Sequence, residues 1–215
     1  MDTNYILAHV DHTLLAPDAR AEQIDKLCDE AARWGTASVC VAPAWVARAA
    51  ERLAGRAAVC TVIGFPCGYS TPEVKAFETA DAVRHGVDEI DMVINVGWAK
   101  EGRFDLIAGE IAMVREACRG KVLKVIIETC LLTDDEKIEL CTVVRESGAD
   151  FIKTSTGFSK HGATEHDVRL LVQHSQGMKV KAAGGIRSLE DAQMYLDIGA
   201  ERLGTSAVVR IVKEL

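Results

Sequence analysis

Aromatic residues make up only 5% of this 215-residue sequence, and proline occurs just four times. No Pro/Gly/Ser-rich stretch divides the chain, which excludes an obvious linker. Positive charge is not in excess either. The formal net charge is −7, which argues against nucleic acid or another polyanion as partner and requires any small anionic ligand to have its own local site. The cysteines, Cys28, Cys40, Cys60, Cys67, Cys118, Cys130 and Cys141, are odd in number and contain neither a C-x-x-C pair nor a Cys/His ligand spacing. Free thiols in a reducing compartment account for them most simply. No uninterrupted apolar run approaches the roughly 20 residues of a membrane span, and Met1-Asp2-Thr3-Asn4 opens without a basic segment and apolar core. A cytoplasmic protein with no membrane partner is expected.

What is present is a 48% hydrophobic chain long enough for one large core, read as a single domain over residues 1–215. Short β-branched runs alternate with amphipathic stretches. The strand candidates are Ala8–His12, Ala37–Val41, Ala57–Ile63, Glu89–Asn95, Val122–Glu128, Phe151–Thr154, Lys179–Ala183 and Arg202–Gly204. Helical patterns follow at about 20–34, 43–53, 72–85, 104–118, 134–147, 164–175, 188–198 and from about 205 onward. Thr133-Asp134-Asp135-Glu136 and Ser188-Leu189-Glu190-Asp191 read as capped, acidic first turns, and Gly86, Gly148 and Gly199 fall where helices should stop. Eight βα units in a row predict an α/β fold closed into a TIM (β/α)8 barrel, with an open doubly wound sheet as the alternative.

Strand side chains alternate between faces, so the apolar set that meets the helices leaves the other set in the barrel lumen. Setting Ile90, Met92 and Ile94 outward turns Glu89, Asp91 and Val93 inward; Leu123, Val125 and Ile127 do the same for Lys124, Ile126 and Glu128. By the same argument Asp11, Cys40, Lys153 and Lys181 face inward. Any one of these charges could form a structural ion pair at a strand end. Taken together, three lysines and several carboxylates are too costly to desolvate for a purely structural core, so they point to chemistry. Two lysines in one cavity raise the cost of charging each other, which allows one to remain a neutral amine and a nucleophile toward carbonyls.

Glycines follow the late strands: Gly157, the pair Gly184-Gly185, and Gly204 with Thr205 and Ser206. In a TIM barrel the loops after strands 7 and 8 commonly hold phosphate, and glycine permits the close backbone approach this needs. Arg187 and Lys160 could add charge or simply be solvated.

Six ordered motifs carry a family resemblance. They are Asp11-His12-Thr13-Leu14-Leu15, Cys40-Val41-Ala42-Pro43, Glu89 to Asn95, Lys124 to Thr129, Phe151 to Gly157 and Lys181 to Arg187. Over nearly its whole length the chain resembles the short bacterial form of deoxyribose-phosphate aldolase. The resemblance implies a class I aldolase without cofactor or metal that acts on a small sugar phosphate and an aldehyde, and that forms homodimers or homotetramers. It implies that Lys153 forms the Schiff base, that Lys181 is the neighbouring cation favouring its neutral form, and that Asp91 relays protons with Lys181. Substrate contacts are expected from Asp11, Thr13, Cys40, Lys124, Thr156, Gly157, Gly184, Gly185, Gly204, Thr205 and Ser206. The chain departs from the family pattern at Phe158, where some members have lysine, at Lys160-His161, and in lacking the tail tyrosine of some longer members. A different Schiff-base aldolase or a catalytically silent sugar-phosphate barrel are the competing readings.

Some residues look chemical without a partner for it. Alternation turns His12 toward the helices, His9, His85, His166 and His174 lack metal-ligand spacing, and Trp34, Trp45 and Trp98 are expected to pack helices or close loops. Cys40 is the one thiol expected to face the lumen, where it could be reactive.

Overall fold

The β-branched and aliphatic residues of each strand determine which face meets the helices. Val39, Val41, Ile90, Met92, Leu123, Val125, Ile152, Val180 and Leu203 all belong to one continuous core between strands and helices. The computed structural model describes residues 2–214. Eight parallel strands, β1 (Val10–Leu14), β2 (Ser38–Val41), β3 (Ala58–Ile63), β4 (Glu89–Val93), β5 (Val122–Ile126), β6 (Phe151–Lys153), β7 (Lys179–Ala183) and β8 (Arg202–Thr205), pair in sequential order. β8 pairs back onto β1, which closes the TIM barrel and removes every open edge.

The helices are α1 (Thr3–Leu7), α2 (Ala21–Trp34), α3 (Val46–Leu53), α4 (Pro72–Arg84), α5 (Val96–Lys100), α6 (Phe104–Ala117), α7 (Asp134–Glu146), α8 (Glu165–His174), α9 (Leu189–Ile198) and α10 (Ala207–Lys213). The two acidic starts are reciprocal capping boxes: Thr133 with Glu136 on α7 and Ser188 with Asp191 on α9. Gly199 ends α9 at φ 116°, in the left-handed region that favours glycine.

Several boundaries differ from the sequence expectation. Asp2 accepts hydrogen bonds from the Asn4 and Tyr5 amides and starts α1, so residues 3–7 are helical and β1 begins at Val10. β4 stops at Val93 because the Asn95 side chain caps the short helix α5. β5 stops at Ile126 rather than Glu128, whose backbone is left-handed at φ 57°. The outward turn of His12 holds: its Nε2 lies 2.9 Å from Glu30 on α2. Trp34, Trp45 and Trp98 pack half-buried against the core.

The parallel register sets the lumenal layers. Asp91 lies beside Lys124, Lys153 beside Lys181, and Lys181 beside Arg202. Cys40 and Cys60 are also paired across β2 and β3, and with Val62 they form a small apolar cluster separate from the main core.

Candidate active site

Asp91 is the hub of the lumen. Its Oδ1 accepts from Lys124 Nζ at 2.8 Å and from the Cys60 thiol at 3.2 Å. Its Oδ2 accepts from Lys153 Nζ at 2.8 Å and from Lys181 Nζ at 2.6 Å. Lys181 also donates to Asp11, which takes further bonds from Ser38 at 2.7 Å and Arg202 at 2.6 Å. Glu89 completes the set, forming an ion pair with Lys124 at 2.6 Å and accepting from Arg202 at 2.8 Å. Four basic groups thus meet three carboxylates inside one barrel.

The mutual attraction overcomes desolvation. Burial alone would raise the Asp91 carboxyl, but Lys124, Lys153 and Lys181 hold it well below the ordinary aspartate range. Burial likewise opposes ionisation of Asp11, and Lys181, Lys124 and Arg202 outweigh it. Lys181 and Lys124 are held well above the ordinary lysine value because their carboxylate neighbours more than offset burial. Burial, a hydrogen bond with Cys40 and the charge of Asp91 push the Cys60 thiol well up, so it stays protonated as a donor. Cys40, Cys60 and Asp91 come within ligand distance of one another. Three lysine side chains already converge on the same carboxylate, so the donor set does not suit a metal cation.

Above this layer, at the C-terminal ends of the strands, opens a cleft of about 360 Å³. Its wall includes Lys153, Thr13, Thr156, Gly157, Gly184, Gly185, Gly204, Thr205 and Ser206, all singled out from the sequence. Lys153 is 4% exposed and is the only one of the three clustered lysines on that wall. Asp11, Cys40 and Lys124, expected to touch substrate, do not line it. They are fully or almost fully buried: Lys124 is bonded to Asp91, Asp11 to Arg202, and Cys40 packs with Cys60 and Val62. Lys181 and Asp91 are fully buried and do not line the cleft; they are directly bonded to one another, and Asp91 also holds Lys153.

The three threonines of the wall have already committed their hydroxyl protons. Thr13 donates to the Asp11 carbonyl, Thr205 to the Ile186 carbonyl, and Thr156 to Glu128. Thr205 also accepts the Ala207 amide, so it ties two loops together. Ser206 makes no side-chain hydrogen bond among the described residues and remains a donor for a ligand. Backbone supplies the rest. A Cβ at Gly184 would stand 3.0 Å from the Gly162 Cα and 3.2 Å from the Gly157 Cα, and both Gly184 and Gly185 have φ 80°. A Cβ at Gly204 would come within 2.9 Å of Ala183 and 3.3 Å of the Lys181 stem.

Sequence reading missed three features of the site. Arg202 enters the cluster from β8, although its alternation with the outward Leu203 carried the signal. Arg210 reaches the cleft from α10 and joins Arg187 there. Among the described residues these two arginines alone make no side-chain contact with a carboxylate, a backbone carbonyl or an aromatic ring; the others are paired or stacked. The third is the partner of Glu128: alternation turns this residue inward but does not reveal its bonds with Thr156, and its carboxyl is raised by burial against those bonds and the charge of Lys153.

The comparisons with known proteins agree with this geometry. Residues 5–208 match the model of the DeoC/LacD family aldolases. A deoxyribose-phosphate aldolase of Streptococcus pyogenes is 53% identical over 214 residues, covering 99% of this chain and 96% of the relative. One from Streptococcus agalactiae shows the same identity and coverage. The solved deoxyribose-phosphate aldolase of Aeropyrum pernix, described as having a unique tetrameric structure, superposes with a TM-score of 0.88 at 32% identity, covering 99% of this chain and 92% of that one. A closed eight-stranded barrel, a buried lysine at the foot of a glycine-walled cleft and these similarities lead to one conclusion: the chain belongs to the DeoC/LacD family of aldolases.

Proposed function

We propose that this barrel reversibly cleaves 2-deoxy-D-ribose 5-phosphate to acetaldehyde and D-glyceraldehyde 3-phosphate through a Schiff base on Lys153. The observation that carries the reading is the position of Lys153. It stands on the cleft wall while its Nζ shares the Asp91 Oδ2 with Lys181. Four basic groups meet three carboxylates there, and Lys153 is the amine of the cluster that faces a ligand.

In the cleavage direction the Lys153 amine adds to the C1 aldehyde of the open-chain sugar, and loss of water gives the iminium. Removal of the C3 hydroxyl proton breaks the C2–C3 bond. Its electron pair moves into the iminium, leaving an enamine and releasing glyceraldehyde 3-phosphate. Protonation of the enamine carbon and hydrolysis then free acetaldehyde and the amine. Because the Asp91 carboxyl is held low, it serves as a fixed anion that steadies the iminium charge. A proton relay with Lys181 therefore runs as a coupled hop along the Lys181–Asp91–Lys153 hydrogen bonds rather than by storing a proton on Asp91.

The phosphate would lie at the opposite end of the cleft, against the Gly157, Gly184, Gly185 and Gly204 backbone and the Ser206 hydroxyl. Arg187 and Arg210, without carboxylate partners of their own, favour a dianion there. As to setting, a cytoplasmic homodimer or homotetramer acting in deoxyribose phosphate catabolism fits this reading. Among the described residues no helix is long and apolar enough to cross a membrane.

Product analysis tests the reaction. Supplied with 2-deoxyribose 5-phosphate, the protein should release acetaldehyde and glyceraldehyde 3-phosphate in equal amounts, and Lys153→Met should abolish release. Ligand binding without turnover would favour a silent sugar-phosphate barrel, and a preference for dihydroxyacetone-type donors would favour a different Schiff-base aldolase.

A further inference from the structure

Past the end of β5, the ladder to β6 falls out of step. The Ile127 amide donates to the Lys153 carbonyl at 3.1 Å, and the Thr129 amide donates to the adjacent Thr154 carbonyl at 2.9 Å. One strand advances two residues while the other advances one, so Glu128 is the extra residue of a bulge. Its backbone is left-handed, φ 57° and ψ 65°, a conformation that glycine adopts freely and glutamate does not. The side chain is buried at 3% exposure and has no cation within ion-pair distance among the described residues. Instead its carboxylate accepts the Thr156 amide at 3.2 Å and the Thr156 hydroxyl. Nothing in the proposed reaction uses Glu128.

A glutamate held in a glycine conformation implies that its side chain is needed. The Glu128 carboxyl oxygen that takes the Thr156 amide also takes its hydroxyl, so Thr156 points its proton at Glu128. The Phe158 amide donates to the same hydroxyl oxygen at 3.0 Å and occupies one lone pair. Thr156 therefore shows the cleft one remaining lone pair, an acceptor with no proton to offer. Beside Lys153 that lone pair suits a hydroxyl of the bound aldehyde and repels a phosphate oxygen.

We propose that Glu128 is a positioning residue: it turns Thr156 so that its oxygen accepts a hydrogen bond from a hydroxyl of the acceptor aldehyde, and so selects hydroxylated acceptors. The inference rests on the aldolase reading. It locates acceptor selectivity in a residue that touches no substrate.

The test compares condensation of acetaldehyde with two phosphorylated acceptors, glyceraldehyde 3-phosphate and 3-oxopropyl phosphate, which lacks the neighbouring hydroxyl. The readout is the ratio of their kcat/KM values. Glu128→Gly, which suits the left-handed backbone, and Glu128→Met, which keeps the volume, should each lower the ratio by about tenfold, the value of one hydrogen bond to a charged or well-placed group. Glu128→Gln retains an acceptor oxygen and should keep most of the preference. Thr156→Val leaves Glu128 in place and should show the same loss, and Glu128→Gly with Thr156→Val should be no worse than the weaker single variant. The Thr156 variant keeps the proposal exposed even if the Glu128 variants fail to fold. An unaltered ratio in Glu128→Gly or in Thr156→Val, an equal loss for both acceptors, or additive losses in the double variant would overturn it. Acetaldehyde and borohydride should still label Lys153 in each folded variant. If the parent protein itself is not labelled, the aldolase reading fails first and this inference falls with it.

Discussion

At Asp91, three lysine nitrogens and one thiol converge on two carboxylate oxygens, and of these groups Lys153 alone borders the cleft. Removing the anion while leaving the cations is the costly change at such a site, because the desolvation of Lys124 and Lys181 is then uncompensated. Asp91→Asn should lose about 3–5 kcal/mol of folding stability, measured by denaturant unfolding, together with most of its cleavage activity. The same substitution should alter the acid limb of the stability profile. Asp91 is held below the ordinary aspartate value of 3.8, so the unfolded chain binds its proton first as pH falls. Its contribution is therefore complete above that value and is lost as pH drops toward the lowered folded value. The wild-type slope of stability against pH below about 4 should be steeper than that of Asp91→Asn. Lys124 and Lys181 have the opposite sign: their raised values keep their contribution complete below 10.5 and lose it only on the alkaline side.

The elements differ in how plainly the sequence announces them. Strand and helix order was legible because the buried strands run in unbroken β-branched stretches and the helices carry capping boxes at Thr133 and Ser188. Helices α1 and α5 were not, since five residues give too little periodicity and each depends on one capping side chain, Asp2 or Asn95. The lumenal charges were legible from alternation alone, and Arg202 could have been found in the same way. What alternation does not reveal is depth along a strand. Asp11, Cys40 and Lys124 face inward as expected and still miss the cleft, because each is buried against lumenal partners: Arg202 and Ser38 for Asp11, Asp91 for Lys124, Cys60 and Val62 for Cys40. The loops were the least legible, since the partners of Thr156 and Thr205, Glu128 and the Ile186 carbonyl, are distant in sequence. Helix α10 brings one such loop-end contribution, Arg210. If it and Arg187 serve the phosphate, Arg210→Gln should lower the kcat/KM ratio of 2-deoxyribose 5-phosphate over unphosphorylated 2-deoxyribose by about tenfold. A ratio equal to that of the wild type would assign Arg210 to solvent.

Across the whole molecule the barrel separates two tasks by depth. The middle of the lumen holds a largely buried charge cluster, and the C-terminal end of the barrel holds a cleft where glycine backbone and two unpaired arginines line the wall. Lys153 joins them, with its nitrogen in the cluster and its side chain on the cleft wall. The central claim is that this one lysine, among all the amines of the chain, forms the imine. Borohydride reduction in the presence of acetaldehyde, followed by peptide mass spectrometry, reads that out directly. The account predicts an added ethyl group on the peptide carrying Lys153 and none on those carrying Lys124 or Lys181. No adduct, or an adduct on Lys181 in place of Lys153, would contradict it.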